Sequence, residues 1–118
     1  MKNNIFEFFR IGGINEGERL AAKHLKKQGF QILLQNYKAK MGEIDIIAMD
    51  GDVLVFVEVK QRASSDFGAP REAVTKEKMR KIKNTAQLYI MKTKHSGNVR
   101  FDVVEVLGKD INHIKNAF

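Results

Sequence analysis

The chain has 118 residues, 43% of them hydrophobic and 30% charged, with a formal net charge of +7 and no cysteine. That length suits one ordinary domain with a real core, the composition excludes a disordered chain, and the lack of cysteine excludes disulfides and thiolate zinc sites. No apolar run approaches the roughly 18 residues of a membrane span, and the opening MKNNIFEFFRIGG has too short and too charged an apolar stretch for a secretory signal, so the reading is a single cytoplasmic domain over residues 1–118 with no membrane partner.

In chain order, Asn15 to Gln28 reads as a first helix, with Asn15 as N-cap and Gly29 as the stop. FQILLQNYKA reads as a first strand. GEIDIIAM and DVLVFVEVKQR are the second and third, joined by a tight turn at Asp50-Gly51. Residues 63–74, ASSDFGAPREAV, hold the only proline and read as irregular. A second helix runs from Thr75 to Lys92, and VRFDVVEVL is a fourth strand. The tail GKDINHIKNAF offers no more than one helical turn, and the aromatic IFEFF near the start either completes the core or makes a subunit contact. The order αβββαβ implies one mixed sheet of about four strands flanked by helices, an α/β domain.

Charges interrupt the apolar strands, and an isolated buried carboxylate costs several kcal/mol unless compensated. Strand geometry puts Val53, Val55, Val57 and Val59 on one face of the third strand and Leu54, Phe56, Glu58 and Lys60 on the other. In the second strand, Ile44, Ile46 and Ala48 share a face opposite Glu43 and Asp45. An even loop centred on Asp50-Gly51 pairs Asp45 with Phe56 and Glu43 with Glu58, making Asp45 and Glu58 diagonal neighbours about 7–8 Å apart. A three-residue loop would separate them. In the first helix, Ile14, Ala21, Ala22 and Leu25 form the apolar arc, and Glu18 falls inside it. Three core-leaning carboxylates outnumber one lysine, so a salt bridge does not balance them. A divalent cation does, and all-oxygen ligands suit Mg²⁺ or Mn²⁺. Such an ion beside a lysine suits phosphodiester hydrolysis. Glu43 reads either as a residue supporting the ligands or as a strand end in solvent.

These residues carry a resemblance. Asp45, followed thirteen positions later by Glu58-Val59-Lys60, resembles the acidic, E-x-K motif of the restriction-endonuclease-like nucleases. Gly17-Glu18-Arg19 resembles the helical glutamate of archaeal Holliday junction resolvases. EGERLAAKHLKKQGF, GEIDIIA, VFVEVKQR, FGAPREAVTKEKMRKI and RFDVVEV together resemble the bacterial YraN family of predicted endonucleases, from about Gly13 to Phe118. Ile44 stands where many relatives carry proline before the aspartate. The resemblance implies a restriction-endonuclease-like core, Asp45 and Glu58 as catalytic metal ligands, Lys60 as the catalytic lysine and Glu18 as an accessory ligand. It also implies a Mg²⁺- or Mn²⁺-dependent nuclease acting on DNA, branched or structured DNA by analogy with the resolvases.

Between Lys76 and Lys94, seven basic residues face only Glu77, a local charge of +6. That charge points to nucleic acid as partner, DNA rather than RNA on the resemblance. Met79, Ile82, Ala86 and Tyr89 or Ile90 recur at helical spacing as the packing face; Lys76, Arg80, Lys83 and Gln87 form an adjacent stripe that suits a phosphate backbone. Lys78 opens the helix near the site, and Arg62 and Arg71 flank the irregular segment as substrate clamps. His24, His95 and His113 lack ligand spacing and read as surface residues. A lone site cuts one strand, so paired cuts call for a homodimer. Two rivals stay open: a nucleic-acid-binding module that keeps the nuclease fold without turnover, and an interaction protein whose acids form a buried ion-pair network.

Overall fold

Residues 15–62 and 74–118 are described in the computed structural model; the readings of IFEFF, Ile14, Arg71 and the segment 63–73 fall outside them. Helix α1 (Glu16–Lys27) starts with a reciprocal cap: the Asn15 side chain accepts the Glu18 N–H at 2.8 Å, and Glu18 Oε1 accepts the Asn15 N–H. Its buried face is Gly17, Glu18, Ala21, Ala22 and Leu25, the arc expected from spacing. There follow β1 (Gln31–Ala39), β2 (Gly42–Asp50), β3 (Val53–Arg62), helix α2 (Lys76–Thr93), β4 (Val99–Leu107) and β5 (Asp110–Ile114). The strands form one mixed sheet in sequence order. Its ladders are antiparallel except β3–β4, which is parallel and crosses over through α2.

The helices lie on opposite faces. Ala21, Ala22 and Leu25 of α1 pack with Ile46, Ala48, Val55, Val57, Val104 and Val106. Ile82 and Ala86 of α2 pack with Ile44, Ile47, Leu54 and Phe56, flanked by Met49, Tyr89, Ile90 and Phe101. The α/β class and mixed sheet are as expected, and so is the alternation along β3.

Three local expectations are corrected. The tail is a fifth strand, because Gly108-Lys109 makes a two-residue loop that folds DINHI back on β4, from Leu107↔Asp110 to Val103↔Ile114. The β2–β3 hairpin turns on Gly51-Asp52, not Asp50-Gly51: the ladder runs to Asp50↔Val53, and Gly51 alone takes a positive φ of 63°. That is the type II′ arrangement, with glycine as the first central residue, whereas the expected centre would have put glycine second. The shift preserves which face each side chain occupies and changes only its opposite partner. Finally, Ile44 joins Ile47 on the α2 side and not Ile46 and Ala48. The break falls opposite Asn36, which lies between the pairs Gln35↔Ile46 and Tyr37↔Ile44 and takes a left-handed φ of 56°.

In register with Val57 of β3, Asp102 of β4 is completely buried. It accepts from Arg100 at 2.9 and 3.0 Å and from the Asn116 N–H at 2.9 Å, and His113 Nε2 lies 2.8 Å away. Arg100 also reaches Asp50 at 3.0 Å. His113 is therefore not a surface residue: its side chain is nearly buried and edge-on to Phe30. Burial pushes the Asp102 carboxyl up, but the hydrogen bonds outweigh it and hold it at about 2. Since that lies below an ordinary aspartate, the network contributes in full above about pH 4 and is lost as pH falls toward about 2. Acid titration of the urea midpoint should show a loss on the order of 2 kcal/mol across that window. Asp102→Asn should lack that step and be weaker by about 3 kcal/mol at neutral pH; an unchanged midpoint would remove the network from the stability of the fold.

Candidate active site

β3 is the central strand, and its C-terminal end lies beside the C-terminal end of β4 and the N-terminal end of β2. Ligands of open α/β sheets collect at the C-terminal ends of parallel strands. Here the β2–β3 ladder stops at Ile46↔Val57. One step on, Asp45 Oδ2 accepts the Val59 N–H at 2.8 Å, so a side chain takes the next amide and brings Asp45 against Glu58 where the strands part. Both are buried, at 9% and 4% exposure. The expected pairing of Asp45 with Phe56 is replaced: Phe56 lies opposite Ile47, and Glu58 is near enough for its charge to act on Asp45.

Among the described residues, Lys78 reaches the pair. Thr75 caps α2 by accepting the Lys78 N–H at 3.1 Å, and Lys78, in that first turn, extends its Nζ to 2.8 Å from Glu58 Oε2. A lysine at a helix N-terminus opposes the macrodipole, so this position needs a carboxylate to compensate it. The hydrogen bond to Glu58 raises the Lys78 pKa against the opposing effect of burial, with Glu58, Asp45 and Glu43 adding to the rise through their charges. Glu18 approaches from α1. Its Oε1 is shared between the Asn15 N–H and, at 3.4 Å, the side chain of Asn36 in β1.

One ammonium does not balance these acids. Burial first, then the charge of Glu58, pushes the Asp45 carboxyl up to about 8, with Glu18 and Glu43 adding to the rise and the Val59 N–H opposing it. Asp102 is more deeply buried and stays low because its partners neutralise it. Asp45 is thus a buried carboxyl whose charged form its acidic neighbours disfavour. Two hard carboxylate oxygen donors in that state fit Mg²⁺ or Mn²⁺, which take one or two protein carboxylates and fill their remaining positions with water or phosphate oxygens. Among the described residues no three His, Cys, Asp or Glu side chains gather as a metal-holding group.

The remaining expected residues separate by surroundings. Lys60 is half-buried, on the face of Glu58 and in register with Glu105 of β4. Arg62 turns inward to Glu105 at 3.2 Å, with little exposure. Glu105, itself buried, also accepts from Asn112 at 3.0 Å. Glu43 is exposed at the start of β2. Lys76, Arg80 and Lys83 are exposed along α2 and line a shallow groove of about 390 Å³ with Met79 and Asn84. Arg80 is held by Glu77 at 2.8 Å, and Lys83 lies 5.8 Å from the Phe101 ring centre. Sequence reasoning missed Glu105 as a neighbour of Lys60, although a carboxylate inside VVEVL is the signal that singled out Glu58. Lys78, expected as a nucleic-acid contact, has its ammonium bonded to Glu58.

An aspartate whose native pKa is raised costs stability wherever the unfolded chain would ionise it. That penalty is absent below about pH 4 and grows toward about pH 8. Asp45→Asn, measured with chelator present, should therefore be more stable than wild type at pH 7–8 by at least about 1 kcal/mol, with the gain vanishing near pH 4. Urea melts across that range test it, and a variant weaker at every pH would make Asp45 an ordinary structural acid.

With this geometry established, the relatives are informative. Residues 17–106 match the model of a family described as "Uncharacterised protein family UPF0102". A UPF0102 protein of Caldicellulosiruptor saccharolyticus is 48% identical over 111 residues, covering 88% of this chain and 94% of that protein. One from Persephonella marina is 44% identical over 104 residues, covering 87% and 90%. One from Vibrio campbellii is 46% identical over 118 residues, covering 96% and 95%. The matched span begins at Gly17 and ends at Val106, taking in Glu18, the whole β2–β3 hairpin with its acid pair, α2 and Glu105, and the chain belongs to the UPF0102 family, the YraN group that its motifs resemble.

Proposed function

We infer that this protein is a metal-dependent nuclease that hydrolyses phosphodiester bonds in DNA. The observation that carries this reading is the buried Asp45–Glu58 pair, in which burial and the charge of Glu58 push the Asp45 carboxyl up to about 8, with Lys60 two residues further along the same face of β3. Asp45 and Glu58 would hold Mg²⁺ or Mn²⁺, with Glu18 supporting from α1, through water, and Glu43 at the solvent side. Once bound, the ion supplies stabilisation of charge building on phosphorus and lowers the pKa of a water. Lys60 orients that water or stabilises the developing charge with its ammonium. Lys78 neutralises Glu58 in the metal-free protein and, on release, stands beside the site as a phosphate contact. Arg62, bound to Glu105, fixes the end of β3 that carries Lys60. The exposed row of Lys76, Arg80 and Lys83 follows the DNA backbone, and branched or otherwise structured DNA is the substrate that the resolvase-like motifs favour.

The Lys78–Glu58 ion pair supports a second reading, in which the acid pair is closed by its own lysine and the fold serves as a nucleic-acid-binding module. Labelled four-way junction, flap, duplex and single-stranded DNA, incubated with Mg²⁺ or Mn²⁺, separate the two. Asp45→Ala and Lys60→Ala, purified from a nuclease-deficient host, should each cut at least about 10²-fold more slowly than wild type. No cleavage of any substrate, with DNA binding untouched by Asp45→Ala, would leave the binding module.

Contact by α2 has its own measurement. Each phosphate contact adds about 0.9 to the slope of log affinity against log salt. Lys76→Ala/Arg80→Ala should lower the slope for duplex DNA by about 1.8, and an unchanged slope would take α2 out of the interface.

A further inference from the structure

On the face of the sheet away from α2, helix α1 and the β4–β5 hairpin enclose a cleft of about 450 Å³. Arg19, Lys23 and Lys27 line it from α1 at every fourth residue, a straight row of cations about 6 Å apart. Lys109 faces them from the hairpin loop, and Leu20 and Ile111 give the cleft an apolar floor. Among the described residues, the one carboxylate in the lining is Glu16, already bonded to Arg19 at 2.7 and 3.0 Å. Lys23, Lys27 and Lys109 are exposed and make no ion pair or hydrogen bond among the described residues. His24, held below the usual histidine range by burial and by the charges of His113 and Lys27, adds a neutral ring at neutral pH.

Like charges four residues apart destabilise a helix by a few tenths of a kcal/mol per pair, so the row is a cost to α1 taken alone. Solubility does not require cations to be lined up across from another cation. A row about 12 Å long matches a chain of negative charges better than one small anion, which convergent side chains would grip. The cleft also opens in the right place: Arg19 follows Glu18, so the row starts at the acid end of the sheet and runs away from it along the opposite face from the α2 stripe.

We propose that this cleft is a second contact for the phosphate backbone, through which a nucleic acid engaged at Asp45 and Glu58 continues along α1. The proposal rests on the nucleic-acid reading above and extends it to a surface that neither the E-x-K motif nor the basic second helix includes.

Fluorescence anisotropy with a labelled 30-base-pair duplex tests it, in an Asp45→Asn background that leaves the probe intact. Lys23→Ala/Lys27→Ala/Lys109→Ala should keep the parent's melting temperature, because all three side chains are exposed. It should bind at least tenfold more weakly at 100 mM salt, and the log–log salt slope should fall by about 2 to 3. A change smaller than one contact's worth, about 0.9, while Lys76→Ala/Arg80→Ala still lowers the slope, overturns the cleft and leaves the nucleic-acid reading standing. A parent chain that binds no duplex at any salt overturns both.

Discussion

The cost of taking a carboxylate out of water decides where the inner strands can carry charge. In β4 Asp102 meets that cost in full: a guanidinium, a histidine and a backbone amide surround it, and its ionised form is favoured despite complete burial. In β2 Asp45 receives one amide, a neighbouring carboxylate and the charges of Glu18 and Glu43, and its ionised form is disfavoured. Asp102 is the less exposed of the two yet the one whose charge is favoured, so desolvation alone does not separate them. What separates them is the sign of the neighbours. A network such as that of Asp102 holds strands together. A site such as that of Asp45 is held in place by the rest of the fold and gains most from an added cation.

The fold supplies that holding through β3. Its antiparallel partner β2 and parallel partner β4 fix it from both sides, and α1 and α2 cover its two faces. The hairpin closes on Gly51-Asp52, and from that turn the ladder runs to Ile46↔Val57, the rung next to Asp45 and Glu58. Asp45 then accepts the Val59 amide, so the residue with the most unfavourable charge also continues the strand pairing. Replacing it removes electrostatic strain and a backbone bond together, which is why an isosteric amide separates those effects better than alanine does.

Much of this was legible in the sequence, because periodicity turns misplaced charge into a positional anomaly. Glu58 and Lys60 stand out against Val55, Val57 and Val59 at period two, and Glu18 against Ala21, Ala22 and Leu25 at helical period. What escaped depended on single backbone angles or on partners distant in sequence. An Asp-Gly pair fits either of two tight turns, and a turn centre one residue later moves every cross-strand partner by two places while each side chain keeps its face. DINHI alternates Ile111 and His113 inward, but its flanking Asp, Asn and Lys dilute the strand signal below that of any other segment. Asn15 and Glu18 formed a capping pair already visible at three-residue spacing, yet the core-facing position of Glu18 drew attention to its charge instead. His113 could be taken for a surface residue only while Asp102, eleven positions earlier, went unnoticed as a buried acid.

The two helices explain why the acid end tolerates its charge at all. Each begins there: α1 with Glu18 in its first turn, and α2 with a capped first turn that brings Lys78 within bonding distance of Glu58. Helix N-termini carry partial positive charge that falls off within a turn, so both helices contribute favourable potential to the acid pair from opposite faces of the sheet. That contribution and one lysine reduce the charge imbalance without removing it, as the raised pKa of Asp45 shows. The same orientation has a consequence for the surface. Because both helices lead away from this end with cationic side chains facing solvent, the positive rows on the two faces start from a common point, and that point is where the sheet holds its unbalanced carboxylates.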